Sequence, residues 1–271
     1  MPPLQFRSIW ISDLHLGTRN LQSEQLLDFL QKTESNYLYL VGDILDLLQA
    51  RKRWYWPRIN DRIVQTILDK AKNGTKVIYI PGNHDHILRR FDGMVFNNIH
   101  ICNKVVHETA DGHRYLVIHG DKFDPVVQNS PWLASIGSTL YDLALTINRI
   151  VNKGRRGLGY EYRSVSAWLK QQVKVAVNYM GRFEEVVAQE GASNKVDGLI
   201  CGHIHRAGIR EIGQVLYSNS GDWVESCTAL AENHNGSLGL VQWPEQHALT
   251  HPATGTVYED LYRDRCLASP N

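Results

Sequence analysis

Cysteine is scarce in this chain. Cys102, Cys201, Cys227 and Cys266 are its only four among 271 residues, with no Cys-x-x-Cys pair and no dense spacing. A disulfide-stapled scaffold is thereby excluded, and four reduced thiols in a cytoplasmic setting are expected. No run of eighteen uncharged apolar residues occurs, so no membrane-spanning helix is expected. The opening residues Met1 to Phe6 lack the basic start and apolar stretch of a signal peptide. A surplus of charge is missing too. The formal net charge is +1, which argues against a general nucleic-acid coat protein and leaves no nucleic-acid partner expected. Internal repeats and low-complexity tracts are also absent. What is present is a hydrophobic content of 43%, enough for a sizeable core and too much for disorder. The length suits one large α/β domain or a domain with an insertion.

Five short apolar runs read as buried strands: Ser8 to Ile11, Tyr37 to Val41, Val77 to Ile80, Tyr115 to Ile118 and Gly198 to Cys201. Helical patterns separate the first three. In one of them Ile59, Ile63, Val64, Ile67, Leu68 and Ala71 keep a helical period, and Gly74 stands where a helix stops. Strand, helix, strand, helix, strand implies parallel pairing through crossover helices. Later the pattern becomes richer in strands. Asp111-Gly112 between two apolar runs is a hairpin signal. Val215 to Ser218 and Leu238 to Trp243 read as further strands. The composite is a two-sheet α/β sandwich with helices outside.

Residues 124–195 differ. Leu133, Ile136, Leu140, Leu143, Ile147 and Ile150 predict one amphipathic helix, and Val165, Trp168, Val173, Ala176, Met180, Phe183 and Val187 a second. Gly154, Gly157 and Gly159 break the chain between them. The segment reads as a helical insertion, or cap, with 1–123 and 196–271 forming the core.

Each of the five buried runs leads into polar residues of one chemical kind. These are Asp13-Leu14-His15, Gly42-Asp43, Gly82-Asn83-His84-Asp85, His119-Gly120-Asp121 and Gly202-His203-Ile204-His205. The crevice outside the carboxyl ends of strands is where open α/β sheets bind ligands. Imidazole, carboxylate and amide oxygen suit divalent Mn²⁺, Fe²⁺ or Zn²⁺. Asp13, His15, Asp43, Asn83, His119, His203 and His205 make seven side chains. One tetrahedral zinc takes only four. Seven suit two ions sharing a carboxylate and a bridging water, an arrangement that clamps an in-line displacement at phosphorus.

Blander readings stand beside this one. His203 and His205 taken alone fit alternate residues of a strand. Asp121 fits a turn former as well as a partner for a ligand histidine. His86, His100, His107, His113, His234, His247 and His251 fall outside every motif and are assigned to surface or packing.

The five motifs in this order resemble the calcineurin-like metallophosphoesterases over roughly residues 8 to 223. The resemblance implies a four-layer α-β-β-α sandwich. It implies one ion on Asp13, His15 and His205, a second on Asn83, His119 and His203, and Asp43 between them. It also implies that His84 assists the leaving oxygen or stabilises the phosphoryl charge, and that Asp46 orients it. Asp85 has at most a supporting role. A protein phosphatase of this family would show Asp-Arg-Gly after the bridging carboxylate, and here the run is Asp43-Ile44-Leu45-Asp46. A non-catalytic scaffold on the fold would have lost ligands, and all seven are present.

Ser12-Asp13-Leu14-His15-Leu16-Gly17, His119-Gly120-Asp121-Lys122-Phe123-Asp124 and Ser218-Asn219-Ser220-Gly221-Asp222-Trp223 are similar to the UDP-2,3-diacylglucosamine diphosphatase branch. That branch implies Mn²⁺, an acylated nucleotide-sugar substrate of lipid A assembly, and a cap sheltering acyl chains. His84 stands where the branch usually carries Arg, which leaves another phosphodiester or pyrophosphate as the alternative substrate. Residues 149–174 carry a net +6 from seven cations, Arg155, Arg156 and Arg163 among them, against Glu161. The plain reading is a solvated basic face. The functional one is an anion-attracting lid or a contact with an acidic membrane surface, those three arginines binding substrate.

Overall fold

A computed structural model describes residues 2–52, 55–123 and 181–244. The chain divides into two compact units, Met1–Gly120 with Val187–Asn271, and Asp121–Val186. Most of the second unit lies outside the described residues, and so do the first predicted cap helix, most of the second, Arg155, Arg156 and Arg163. Residues 181–193, which include the last positions of the second cap pattern, are helical.

The first unit opens as expected. Strand β1 (Leu4–Ile11), helix α1 (Ser23–Lys32), strand β2 (Thr33–Val41), the short helix α2 (Leu47–Lys52), helix α3 (Arg58–Lys72) and strand β3 (Lys76–Ile80) follow in order. β1 pairs parallel with β2, and β2 parallel with β3. α3 stops as its sequence says. The Gly74 N–H bonds the Ala71 carbonyl and the Thr75 N–H the Lys70 carbonyl at 3.0 Å, while Gly74 takes φ +108. This paired closure satisfies the last helical carbonyls and needs a residue tolerant of left-handed backbone.

Two strands, β4 (Val95–Phe96) and β5 (Ile99–Ile101), extend this sheet. β6 (Val105–Glu108) and β7 (Arg114–Val117) form the expected hairpin, closed by the longer loop 109–113 rather than by Asp111-Gly112 alone. β8 (Gly198–Cys201), β9 (Gly208–Ile212), β10 (Val215–Asn219), β11 (Thr228–Glu232) and β12 (Leu238–Gln242) complete the set. The strand orders are β12-β11-β1-β2-β3-β5-β4 and β6-β7-β8-β10-β9.

Alternation along β1 to β3 explains why these runs are apolar on both sides. Ile9, Ile11, Leu38, Leu40, Val77 and Tyr79 face one cluster with Phe29, Leu30, Ile63 and Ile67 of α1 and α3. Trp10, Tyr39, Val41, Ile78 and Ile80 face another with Tyr115, Val117 and Ile200 of the second sheet. A sheet covered on both faces cannot show the half-polar alternation of an exposed one. The site lies where β1, β2, β3, β7 and β8 end.

Candidate active site

All seven predicted ligand positions sit on the turns that leave those five strands. Oxygen and nitrogen atoms of Asp13, His15 and His205 lie within 4.8 Å of one another, as do those of Asp43, His119 and His203, and those of His15, Asp46 and His84. Asn83 joins the second group, its Oδ1 standing 3.3 Å from His119 Nε2. The rings of His15 and His205 stack at 5.5 Å, and those of His119 and His203 meet edge to face at 5.1 Å. His203 and His205 both follow the end of β8, so they are not opposite-facing strand residues.

Backbone conformation marks the same residues. Nine non-glycine residues among those described have positive φ, and Asp13, His15, Asp43, His203 and His205 are five of them, at +50 to +72. Left-handed backbone costs a side-chain-bearing residue about 1–2 kcal/mol. Such cost collects where function fixes the geometry. Gly42 shows how tightly the turns approach. It has φ +78, and a Cβ there would overlap the His119 ring.

Hydrogen bonds orient the rings. His119 Nδ1–H donates to the Val41 carbonyl at 3.0 Å, and Nε2 points to Asp43 Oδ2 at 3.5 Å. A ligand imidazole is held in this way, its second nitrogen committed to an acceptor behind it. His15 Nδ1 lies 3.3 Å from Asp46 Oδ2, and His84 Nδ1 lies 3.1 Å from the same oxygen. The His84 contact is an ion pair outside hydrogen-bond alignment, since His84 Nδ1 has no hydrogen-bond partner. Asp46 thus serves two imidazoles, where the sequence reading gave it one. His84 Nε2 faces Asp43 Oδ2 at 3.9 Å.

The charges follow from this packing. Burial works against the ionised form of Asp43, yet His119, His84 and His15 hold its carboxyl far below the carboxylate range. Asp46 is likewise buried and held far below it by His15, His84 and the Gln49 N–H. Burial would lower the His84 pKa, but Asp46 and Asp43 prevail and raise it. The donor set fits divalent cations. Three carboxylates and five imidazoles converge, and the buried Asp13 Oδ1 accepts no hydrogen bond while facing His205 Nε2 at 3.4 Å.

Two residues outside the predicted set support these turns. Ser12 hydroxyl donates to the Gly221 carbonyl at 2.9 Å, behind Asp13. Asp85, given little weight from sequence, is wholly buried and accepts four hydrogen bonds from the turns after β2 and β3 and from Tyr79. The Gly-Asn-His-Asp motif contains it, but nothing in the motif distinguishes it from a surface turn residue. Asp121 is buried at the start of a single 3₁₀ turn, Asp121–Phe123.

The family model for calcineurin-like phosphoesterases matches residues 6–207. Solved structures similar to the chain include Vps29 from Entamoeba histolytica complexed with Zn+2, 14% identical over 87% of this chain and 90% of that one, with a TM-score of 0.42. The phosphoesterase YfcE from E. coli is 14% identical over 92% of this chain and 95% of that one, TM-score 0.39. An archaeal phosphodiesterase is 13% identical over 87% and 98%, TM-score 0.38. No curated protein matches.

Proposed function

The chain belongs to the calcineurin-like phosphoesterase family and is a metal-binding hydrolase; from that premise we propose that it uses two divalent ions, Mn²⁺ first among them and Fe²⁺ or Zn²⁺ the alternatives, to cleave the pyrophosphate of UDP-2,3-diacylglucosamine. The products are UMP and an acylated sugar phosphate. The observation that carries the two-ion reading is the pair of donor groups, Asp13/His15/His205 and Asp43/His119/His203, meeting beside His84.

Asp13, His15 and His205 would hold one ion, and Asn83, His119 and His203 the other, with Asp43 shared. When bound, the ions supply Lewis acidity toward the phosphoryl oxygens. The chain's own groups do the rest. Asp46 stands at Nδ1 of His84 and favours the protonated ring, and Nε2 faces the centre. The proton at Nε2 passes to the departing oxygen, the work suited to an imidazole near neutral pH.

Two features support the acylated substrate. The Ser12–Gly17, His119–Asp124 and Ser218–Trp223 segments are similar to that branch. A cavity of about 310 Å³ is lined by His84 together with Leu47, Leu48, Ala50, Arg51, His86 and Ile87. Its carbon-rich wall suits an apolar substituent on the reacting phosphate. An acylated substrate, and the +6 charge of residues 149–174, also favour contact with an acidic membrane surface. No helix among the described residues is long and apolar enough to cross a membrane.

His84 itself favours a second reading. An acid at this position helps expel a poor leaving group, whereas Arg would grip a pyrophosphate by paired hydrogen bonds. The second reading is hydrolysis of a simpler phosphodiester. Mn²⁺-loaded protein incubated with UDP-diacylglucosamine and, separately, with an aryl phosphodiester decides. UMP release supports the first reading. Cleavage of the diester alone supports the second. Inertness toward both removes both.

A further inference from the structure

Asp85 is 0% exposed. Its Oδ2 accepts hydrogen bonds from Ile44 N at 2.9 Å, Leu45 N at 3.3 Å and the Tyr79 hydroxyl at 2.6 Å, and its Oδ1 from Gly82 N at 2.6 Å. None of these four donors is a cation. Burying a carboxylate without a counter-charge costs several kcal/mol unless hydrogen bonds satisfy it. A neutral side chain would fill the space at lower cost, so what the carboxylate holds together is the relevant question.

It holds the turn that carries Asp43 against the turn that carries Asn83 and His84. The other side of the centre is joined differently. Asp13 N bonds the Gly42 carbonyl, His15 N the Asp43 carbonyl, and Leu16 N the Ile44 carbonyl, all at 2.9–3.0 Å, and Asp46 N returns to the Leu16 carbonyl. These backbone bonds register the Asp13–His15 turn on the Asp43 turn without Asp85. Between the Asp43 and Asn83 turns the other direct backbone bond among the described residues is His84 N to Asp43 Oδ1 at 2.8 Å, beside the pairing of the His84 ring with Asp46 and Asp43.

We propose that Asp85, with Tyr79 behind it, is a positioning residue that sets the Asp43–Asn83 spacing and so selects for occupancy of the Asn83/His119/His203 side of the centre, while the Asp13/His15/His205 side is independent of it. The proposal rests on the two-ion reading above. Asp85→Asn presents an amide N–H to donors that already point inward, and it leaves at least one of them unsatisfied. Loss of support behind a ligand lowers metal affinity about 10–100-fold. Tyr79→Phe removes one donor and leaves three, so the same affinity falls by less, about 2- to 10-fold.

The test is a Mn²⁺ titration of full-length protein, read by bound metal per chain and by electron paramagnetic resonance. Wild type is expected to bind two ions and show an exchange-coupled pair. Asp85→Asn is expected to retain one tight ion with an isolated six-line signal, its second ion weakened by the stated range, and Tyr79→Phe to shift the second ion alone. An unweakened coupled pair in Asp85→Asn, or equal weakening of both ions, overturns the proposal. If Asp85→Asn does not fold, Tyr79→Phe decides, and an unchanged second affinity there overturns it. Wild-type protein that binds a single ion refutes the two-ion reading and the proposal with it. Two coupled ions in wild type with unaffected variants refute only the proposal.

Discussion

At His84 one imidazole faces two carboxylates, Asp46 through Nδ1 and Asp43 across from Nε2. Position, not ligation, is what this ring contributes in our reading. His84→Ala is therefore expected to slow turnover by about 10²–10⁴-fold, the usual worth of a positioned acid. Metal content should stay at the wild-type level by elemental analysis, and a metal-free variant would show the ring to be a ligand. Residue chemistry of this kind was readable in advance because Asp, His and Asn recur at the ends of five apolar runs. Asp85 and Tyr79 were not readable. Asp85 accepts from the backbone of Ile44, Leu45 and Gly82 and from the Tyr79 hydroxyl, and no side-chain pattern announces backbone partners such as Ile44 and Leu45, which lie far away in the chain. The double duty of Asp46 was hidden for the same reason, since His15 comes to it from another strand.

Elements follow a similar division. β1, β2, β3, β7 and β8 were legible because strands buried on both faces must be apolar throughout. β9, with Arg210 and Glu211, and β11, whose Ala229, Ala231 and Glu232 have little preference for strands, carry no such mark. They are strands because neighbours pair with them: β11 lies between β1 and β12, and β9 finishes the second sheet beside β10. The turns after the strands carry every proposed metal ligand. Gly42→Ala places a methyl group into the His119 ring at φ +78. We expect a loss of about 1–3 kcal/mol of stability, seen as a lower denaturation midpoint. Metal content should fall at the same time as His119 is displaced. A variant with native midpoint and metal content would show that the turn has slack.

Away from the candidate site, the two sheets of the first unit are joined by charge at Glu232. Glu232 of β11 is buried and binds Arg7 Nη1 at 2.7 and 2.8 Å, Ser8 Oγ at 2.6 Å and Ala110 N at 2.8 Å. His107 of β6 lies 2.9 Å from it and reaches the Tyr39 hydroxyl at 2.8 Å with its other nitrogen. His107 is thus a packing residue, as assigned. Burial opposes ionisation of Glu232, but His107, Ser8 and the Ala110 N–H hold its pKa below the ordinary value. A carboxyl whose folded pKa is lowered contributes stability above its unfolded pKa, and that stability is lost as pH falls through the folded value. Denaturation midpoints should therefore decline below about pH 4.5, and Glu232→Gln should flatten that decline. At pH 7 the variant should be less stable by about 2–3 kcal/mol, under the figure for a fully buried pair because Arg7 is 22% exposed. An acid limb unchanged in Glu232→Gln would place the titration elsewhere. This junction was invisible in the sequence, since Arg7, His107 and Glu232 lie a hundred residues and more apart.

The five left-handed residues of the centre have a practical consequence. Cations held at these turns as proposed would bind the folded chain and not the unfolded one, so sequestering agents should weaken the protein as well as silence it. Extraction buffers containing EDTA, and chromatography on chelating resin, would then yield the frailer form, and heat resistance would rise with trace-metal supply.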